Sequence, residues 1–238
     1  YPGAALLGVL AALRTGVGMV RYLGPPSVGS LVIQNHPEVV LVPGRVDSVV
    51  VGSGMAAPLG ARATMRGREA FSRSVPTVID AGALDLAEEA PAHAVLTPHA
   101  RELERLHHRV LGVEVTDELD AATRLAKELG VTILVKGSVT RVVNQQGSLW
   151  ELPPATPWLA TAGSGDVLAG ILGALLAGRR DHLESTAEDL GEIVAAGALL
   201  HALAARSASE ARSGGPITAS DVADHVASVV GVILEARS

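Results

Sequence analysis

Residues 160–178 read ATAGSGDVLAGILGALLAG. Glycine and small polar residues fill the start, an almost unbroken apolar run follows, and Asp166 stands at the junction. The run predicts a buried helix over 166–177, opened by GSGD (163–166). Unpaired N–H donors crowd such an opening turn, and the partial positive charge of the helix end favours a phosphate there. A carboxylate at the same place can take a proton from a bound hydroxyl while those donors hold the charged group it attacks. An ordinary helix cap at Asp166, with glycines that merely allow a turn, accounts for the same residues. Neither G-x-x-x-x-G-K-[ST] nor G-x-G-x-x-G occurs in the chain.

Outward from this helix, strands alternate with helices. MVRYLG (19–24), EVVLVP (38–43), SVVVGSG (48–54), PTVIDAGAL (76–84) and HAVLTPHARE (93–102) are short apolar runs that stop at a proline, a glycine or a polar residue. That is the form of buried parallel strands. VTILVKGSVTRVV (131–143) reads as two strands about a Lys-Gly-Ser turn, and GSLWELPP (147–154) as one more. Helices are predicted over 3–17, over 116–129 with caps at Thr116 or Asp117 and a stop at Gly130, over about 187–208, and over 218–236. The pattern is α/β, with a mainly parallel central sheet and antiparallel additions at one edge. Ligands of open sheets gather beyond the carboxyl ends of the strands. Residues 52–54, Asp80, 97–99, 136–137 and 163–166 are therefore expected to share one region.

Composition narrows the function classes. The chain has 238 residues, 48% hydrophobic and 18% charged, without a linker-like stretch, and reads as one domain over 1–238. Aromatics at 2% leave few rings for stacking nucleic-acid bases, and a formal charge of −6 disfavours a phosphate-backbone binder. The absence of cysteine excludes disulfides and thiolate chemistry and fits a reducing, cytoplasmic setting. The opening apolar stretch lacks a basic lead and is interrupted by Arg14, unlike a secretory signal. The runs 166–178 and 193–205 fall short of the ~20 apolar residues a membrane span needs.

Several side chains remain as candidates, each with a plainer alternative. Lys136 at its turn can reach a phosphate or simply be solvated. His99, just after a strand, and Glu102 in the next helical turn can belong to a site or to the surface. His107 and His108 read as surface helix residues. Asp80 and Asp85 can hold Mg²⁺ through water, or Asp80 can cap the next helix. The histidines show no metal-ligand spacing.

In order, YPGAALLGVLAALRTGVGMV (1–20), VVVGSGM (49–55), TVIDAGALD (77–85), LTPHARELERL (96–106), ILVKGSVTRVV (133–143) and LATAGSGDVLAGILGALLAG (159–178) resemble the ADP/ATP-dependent NAD(P)H-hydrate dehydratases of the ribokinase-like superfamily. The resemblance implies a three-layer α/β/α fold. It implies ADP-dependent dehydration of (S)-NAD(P)HX to NAD(P)H, giving AMP and phosphate, with Mg²⁺ and either ADP or ATP as donor. By resemblance, Asp166 is the base that deprotonates the ring hydroxyl. Ala4, Gly54, His99 and Asp166 contact the hydrated dinucleotide. Lys136, Gly137, Ser138, Val139, Thr140 and Gly165 bind the nucleotide. Metal ligands are not assigned, and a homotetramer is the family's usual assembly.

The chain departs from the family's pattern at several points. Gly52-Ser53-Gly54 stands where G-P-G is usual, Asp80-Ala81-Gly82 where D-A-D is usual, and Ala100-Arg101-Glu102 where Pro-Gly-Glu follows the histidine. It also begins at the Y-P-G-A motif, without the family's usual first strand. Two other readings use the same residues: an ATP-dependent kinase of a small vitamin-precursor alcohol, and a non-catalytic nucleotide-binding protein.

Overall fold

The computed structural model describes residues 1–179 and 187–236. Its sheet has six strands in the order β1 (Val49–Val51), β2 (Thr77–Ile79), β3 (Ala94–Leu96), β4 (Thr132–Val135), β5 (Arg141–Val143) and β6 (Leu149–Glu151). The first four run parallel, and β5 and β6 fold back antiparallel at one edge. Side chains alternate across a strand, so each central strand feeds two cores. Ile79, Leu96 and Ile133 face one side of the sheet, and Val78, Val95 and Leu134 face the other. Burial on both faces is why these strands are short, β-branched and free of charge.

On the first face lie α3 (Ala61–Phe71), a 3-10 segment (Ala81–Glu89), α4 (Ala100–Leu111) and α5 (Glu118–Leu129). They seat Phe71, Leu84, Leu103, Leu106 and Leu125 on the sheet. Every connection between successive parallel strands crosses this face, which gives the sequential strand order. On the second face lie α6 (Ser164–Ala177) and α7 (Ala187–Glu210), which bring Leu168, Leu172, Leu176 and Val194. Helices α1 (Pro2–Thr15) and α8 (Ala219–Glu235) pack outside them through Ala11, Ile171, Ala204 and Val222. The result is the three-layer α/β/α arrangement with antiparallel strands at one edge.

Capping follows the sequence closely. Asp117 accepts from Asp120 N–H at the start of α5, and Gly130 ends that helix at φ 67°. Thr218 and Asp221 form a reciprocal capping box on α8.

Three expectations are corrected. Residues 19–24 and 38–43 are not strands of the sheet; their backbones pair through one isolated parallel bridge, Arg21 to Val40, and the Arg21 side chain donates to the Val42 carbonyl at 2.9 Å. The flanking prolines 25, 26, 37 and 43 remove ladder donors, and a helix, α2 (Pro26–Asn35), fills the space between the two segments. The run around 193–205 belongs to a helix long and apolar enough, by length and composition, to cross a membrane. More than half of its apolar stretch is buried within the fold, so α7 acts here as a core helix. His107 is buried rather than superficial, with its ring Nδ1 3.0 Å from the Val113 carbonyl.

Candidate active site

The site is assembled from the ends of four parallel strands and the start of one helix. Residues 52–54 follow β1, Asp80 follows β2, residues 97–99 follow β3, and Lys136 follows β4. Helix α6 opens toward them at residues 163–166. The backbone holds this end together: Lys136 N–H donates to the Pro98 carbonyl at 2.9 Å, and Asp80 N–H to that of Val51 at 3.0 Å.

Asp80 is the hub. Its carboxylate is buried, and its Oδ1 accepts from both Lys136 Nζ and Thr97 Oγ1 at 2.7 Å. A buried carboxylate needs such pairing to remain charged. It occupies the N-cap position of the 3-10 segment but makes no capping bond, so the cap reading of Asp80 falls away. The next residue, Ala81, has φ 46°, a left-handed conformation that costs a non-glycine residue on the order of 1 kcal/mol.

Lys136 is held as firmly. Besides Asp80, its Nζ lies 3.9 Å from Glu102 Oε2, and a Cβ placed on Gly165 would come within 3.4 Å of it. The ammonium therefore sits against the first turn of α6. Glu102 also closes a capping box on α4: it accepts from His99 N–H at 2.9 Å, while its own N–H donates to His99 Nδ1 at 3.3 Å. His99 is thus fixed at the helix start with its ring half exposed.

Asp166 is the third residue of α6; the N-cap is Gly163, at φ 89°, and no side chain caps this helix. The ordinary-cap reading of Asp166 is therefore corrected: the carboxylate is left available to a ligand. Burial raises its pKa above the usual carboxylate range, and the negative charge of Asp80 raises it further. Lys136 and Ser53 pull the other way. Ser53 Oγ is buried without a hydrogen bond of good geometry, so its effect on Asp166 is one of proximity. A carboxylate biased toward holding a proton is a stronger base when ionised, which suits proton abstraction from an alcohol.

The remaining predicted residues fall around this cluster. Ala4 in α1 touches the 52–54 loop, since a Cβ on Gly54 would lie 3.3 Å from Ala4 Cβ. Gly137 and Ser138 are exposed in the β4–β5 turn, with Val139 and Thr140 half-buried beside them. Asp85 lies elsewhere: its Oδ2 accepts from Leu59 N–H at 3.0 Å and its Oδ1 faces Arg109 at 3.4 Å. Among the described residues, no three histidine or acidic side chains gather as a metal cluster. The residues present fit a Mg²⁺ ion held by nucleotide phosphates and water, with Asp80 or Asp166 at its edge, a common mode for this ion.

One motif departure, at Gly82, has a physical reason, and Gly52, which the chain shares with the family pattern, has the same one. A side chain at Gly82 would meet the Met55 carbonyl at 2.7 Å, and one at Gly52, where φ is 116°, would meet the Asp80 carbonyl at 1.7 Å. The 52–56 loop lies flat on the end of β2, and only glycine fits beneath it.

Sequence reasoning missed His201. It projects from α7 beneath the opening turn of α6, is fully buried, and has a pKa pulled down to about 4 by loss of solvent, partly offset by a hydrogen bond to the Ser164 backbone. Its Nε2 has no hydrogen-bond partner among the described residues. The signal was a lone histidine inside the apolar run GALLHALAA (197–205).

Against known proteins, residues 1–227 match the family model described as NAD(P)H-hydrate dehydratase. The chain is 41% identical over 189 residues to the bifunctional NAD(P)H-hydrate repair enzyme Nnr of Mycobacterium leprae, covering 74% of this chain and 38% of that protein. It is 37% identical over 258 residues to the Nnr of Corynebacterium glutamicum, covering 95% and 44%. The chain thus spans less than half the length of these curated relatives. Its fold is similar to that of the Bacillus subtilis ADP/ATP-dependent NAD(P)H-hydrate dehydratase co-crystallised with ATP/Mg²⁺, with a TM-score of 0.76 at 24% identity over 96% of this chain and 84% of that one. The Thermotoga maritima ribokinase shares the fold more loosely, with a TM-score of 0.58 at 15% identity over 95% and 86%.

Proposed function

This chain belongs to the NAD(P)H-hydrate dehydratase family, and from that premise we propose that it returns hydrated (S)-NAD(P)HX to NAD(P)H at the expense of ADP, yielding AMP and phosphate. The observation that carries this reading is Asp166. A carboxylate with a burial-raised pKa stands uncapped in the first turn of α6, beside the ammonium of Lys136.

Hydroxide is a poor leaving group and an alcohol a poor nucleophile, so the reaction has two problems. Asp166 addresses the second by taking the proton of the ring hydroxyl as its oxygen attacks the terminal phosphorus of the donor. The bond from that phosphorus to the bridging oxygen breaks, and AMP leaves. Phosphorylation addresses the first, because the ring carbon–oxygen bond then breaks with phosphate departing and a ring proton lost to restore the double bond. The donor's phosphates lie against the opening turn of α6 at 163–166 and the turn of Lys136, Gly137, Ser138, Val139 and Thr140. Positioning and charge stabilisation do most of the work in such transfers. Mg²⁺ would supply charge neutralisation between the donor phosphates. Gly54, Ala4 and His99 line the dinucleotide side. The reading places the protein in the cytoplasm as a homo-oligomer, a tetramer by its resemblance.

The test mixes the protein with hydrated NADH, Mg²⁺ and either ADP or ATP and follows the return of NADH absorbance. Recovery is expected, faster with ADP. Asp166→Asn should lower turnover by roughly 10²–10⁴-fold, the range of general-base catalysis, while still binding ADP. No recovery with either donor overturns the proposal, and a stable phosphorylated vitamin-precursor alcohol in its place makes the protein a kinase.

A further inference from the structure

Beside the catalytic cluster a cavity of about 310 Å³ opens between the 57–58 loop, the 3-10 segment and helix α4, with Ala81, Asp85, Glu102, Arg105 and Arg109 among its walls. Its size is at the lower end of the range for small-molecule sites, roughly 300–1,000 Å³. Glu102 belongs to both places: it lines the cavity and sits 3.9 Å from Lys136 Nζ. A ligand that begins at Asp166 and Lys136 can therefore continue into the cavity without leaving the protein surface.

The charges on its walls are unequal in what they already do. Glu102 is consumed by the His99 capping box. Asp85 holds Leu59 N–H and Arg109, and Arg109 also donates to the Leu84 carbonyl at 2.7 Å. Arg105 has no hydrogen bond or ion pair among the described residues, and it is exposed toward the opening. It stands three residues, one helical turn, beyond Glu102 on α4. The cavity thus offers one uncommitted guanidinium whose planar fork suits a phosphate.

We propose that Arg105 binds a phosphate of the dinucleotide substrate, so that this cavity receives the half of the molecule beyond the nicotinamide riboside. The inference rests on the dehydratase reading for the identity of the ligand. Two phosphates of that half share this chemistry: the pyrophosphate, common to the NADH and NADPH forms, and the 2′-phosphate, present only in the latter.

The test titrates NADH and NADPH, the unhydrated products, into wild-type protein, Arg105→Gln and Arg105→Lys, reading nicotinamide fluorescence; it needs no turnover. Arg105→Gln should weaken NADPH binding about tenfold, the scale of one charge-assisted contact, and Arg105→Lys should recover part of the loss. A loss for both nucleotides assigns the pyrophosphate, and a loss for NADPH alone assigns the 2′-phosphate. The ion-paired Arg124 on α5 serves as control, and Arg124→Gln should leave both affinities unchanged. Equal affinities of wild type and Arg105→Gln overturn the subsite even where the wild type is an active dehydratase. A wild type that binds NADPH through Arg105 but dehydrates nothing would overturn the reaction and leave the subsite standing.

Discussion

At the scale of single residues, the site turns on the balance of charge around Asp166. Its raised pKa comes first from burial and next from Asp80, whose carboxylate is itself fixed by Lys136 and Thr97. In Asp80→Asn one negative neighbour is gone and Lys136 is left without its partner, and both changes lower the pKa of Asp166. The acid limb of kcat/KM, which reports the free-enzyme base, should therefore move to lower pH, while turnover falls because Lys136 is no longer held. A pH–rate profile of the variant decides this, and an acid limb that stays put or rises removes Asp166 as the titrating base. The same raised pKa has a stability consequence. Folding keeps the proton on Asp166 to higher pH than the unfolded chain does, so the native state loses stability as pH rises through the folded pKa. The individual residues were legible in the sequence because each stands at the end of its own strand or helix. Their partners were not: a pair such as Asp80 and Lys136, 56 positions apart, exists only once β2 and β4 are placed on either side of β3.

At the scale of elements, α6 is held in place by contact with α1 as much as by the sheet. A Cβ on Gly170 would lie 2.2 Å from the Gly8 carbonyl, and one on Gly8 would lie 3.4 Å from the Asp166 carbonyl. The two helices approach backbone to backbone where Gly170 meets Gly8. Gly170→Ala should destabilise the fold by about 1–3 kcal/mol, the usual cost of overpacking. A backbone carbonyl cannot step aside as a side chain can, so α6 must shift and carry Asp166 with it. Turnover should fall beyond what the lost stability explains, whereas Gly8→Ala, at ordinary contact distance, should be mild in both respects. Urea unfolding midpoints beside kcat measured well below the transition decide the matter, and equal behaviour of the two variants would separate helix packing from the site. Apolar runs and caps made α1, α5, α6, α7 and α8 readable to within a residue or two, including Asp117 to Gly130, whereas α2 and α3 carried no such signal and were not foreseen. The segments 19–24 and 38–43 misled because β-branched composition signals burial, while pairing depends on neighbours that the prolines there deny.

At the scale of the whole molecule, the donor's proposed place joins parts that the chain builds separately. The Lys136 turn belongs to the β4–β5 hairpin at one edge, and the 163–166 turn opens a helix that covers the opposite sheet face and meets α1 and α7. A nucleotide bridging the two binds only the native state and so stabilises all of it, by about 2.7 kcal/mol at a hundred times Kd. For a domain of this size each kcal/mol corresponds to roughly 2–4 °C, so saturating ADP with Mg²⁺ should raise Tm by about 5–10 °C. Asp166→Asn should keep that increment, because in the proposed reaction its carboxylate serves the acceptor hydroxyl rather than the donor phosphates. Lys136→Met should lose most of it, and should also begin from a lower Tm, since a buried Asp80 without its ammonium costs several kcal/mol. Each variant is therefore compared with its own nucleotide-free baseline. An undiminished shift in Lys136→Met would leave the lysine a structural partner of Asp80 alone, and the donor would then rest on the helix turn and the β4–β5 backbone.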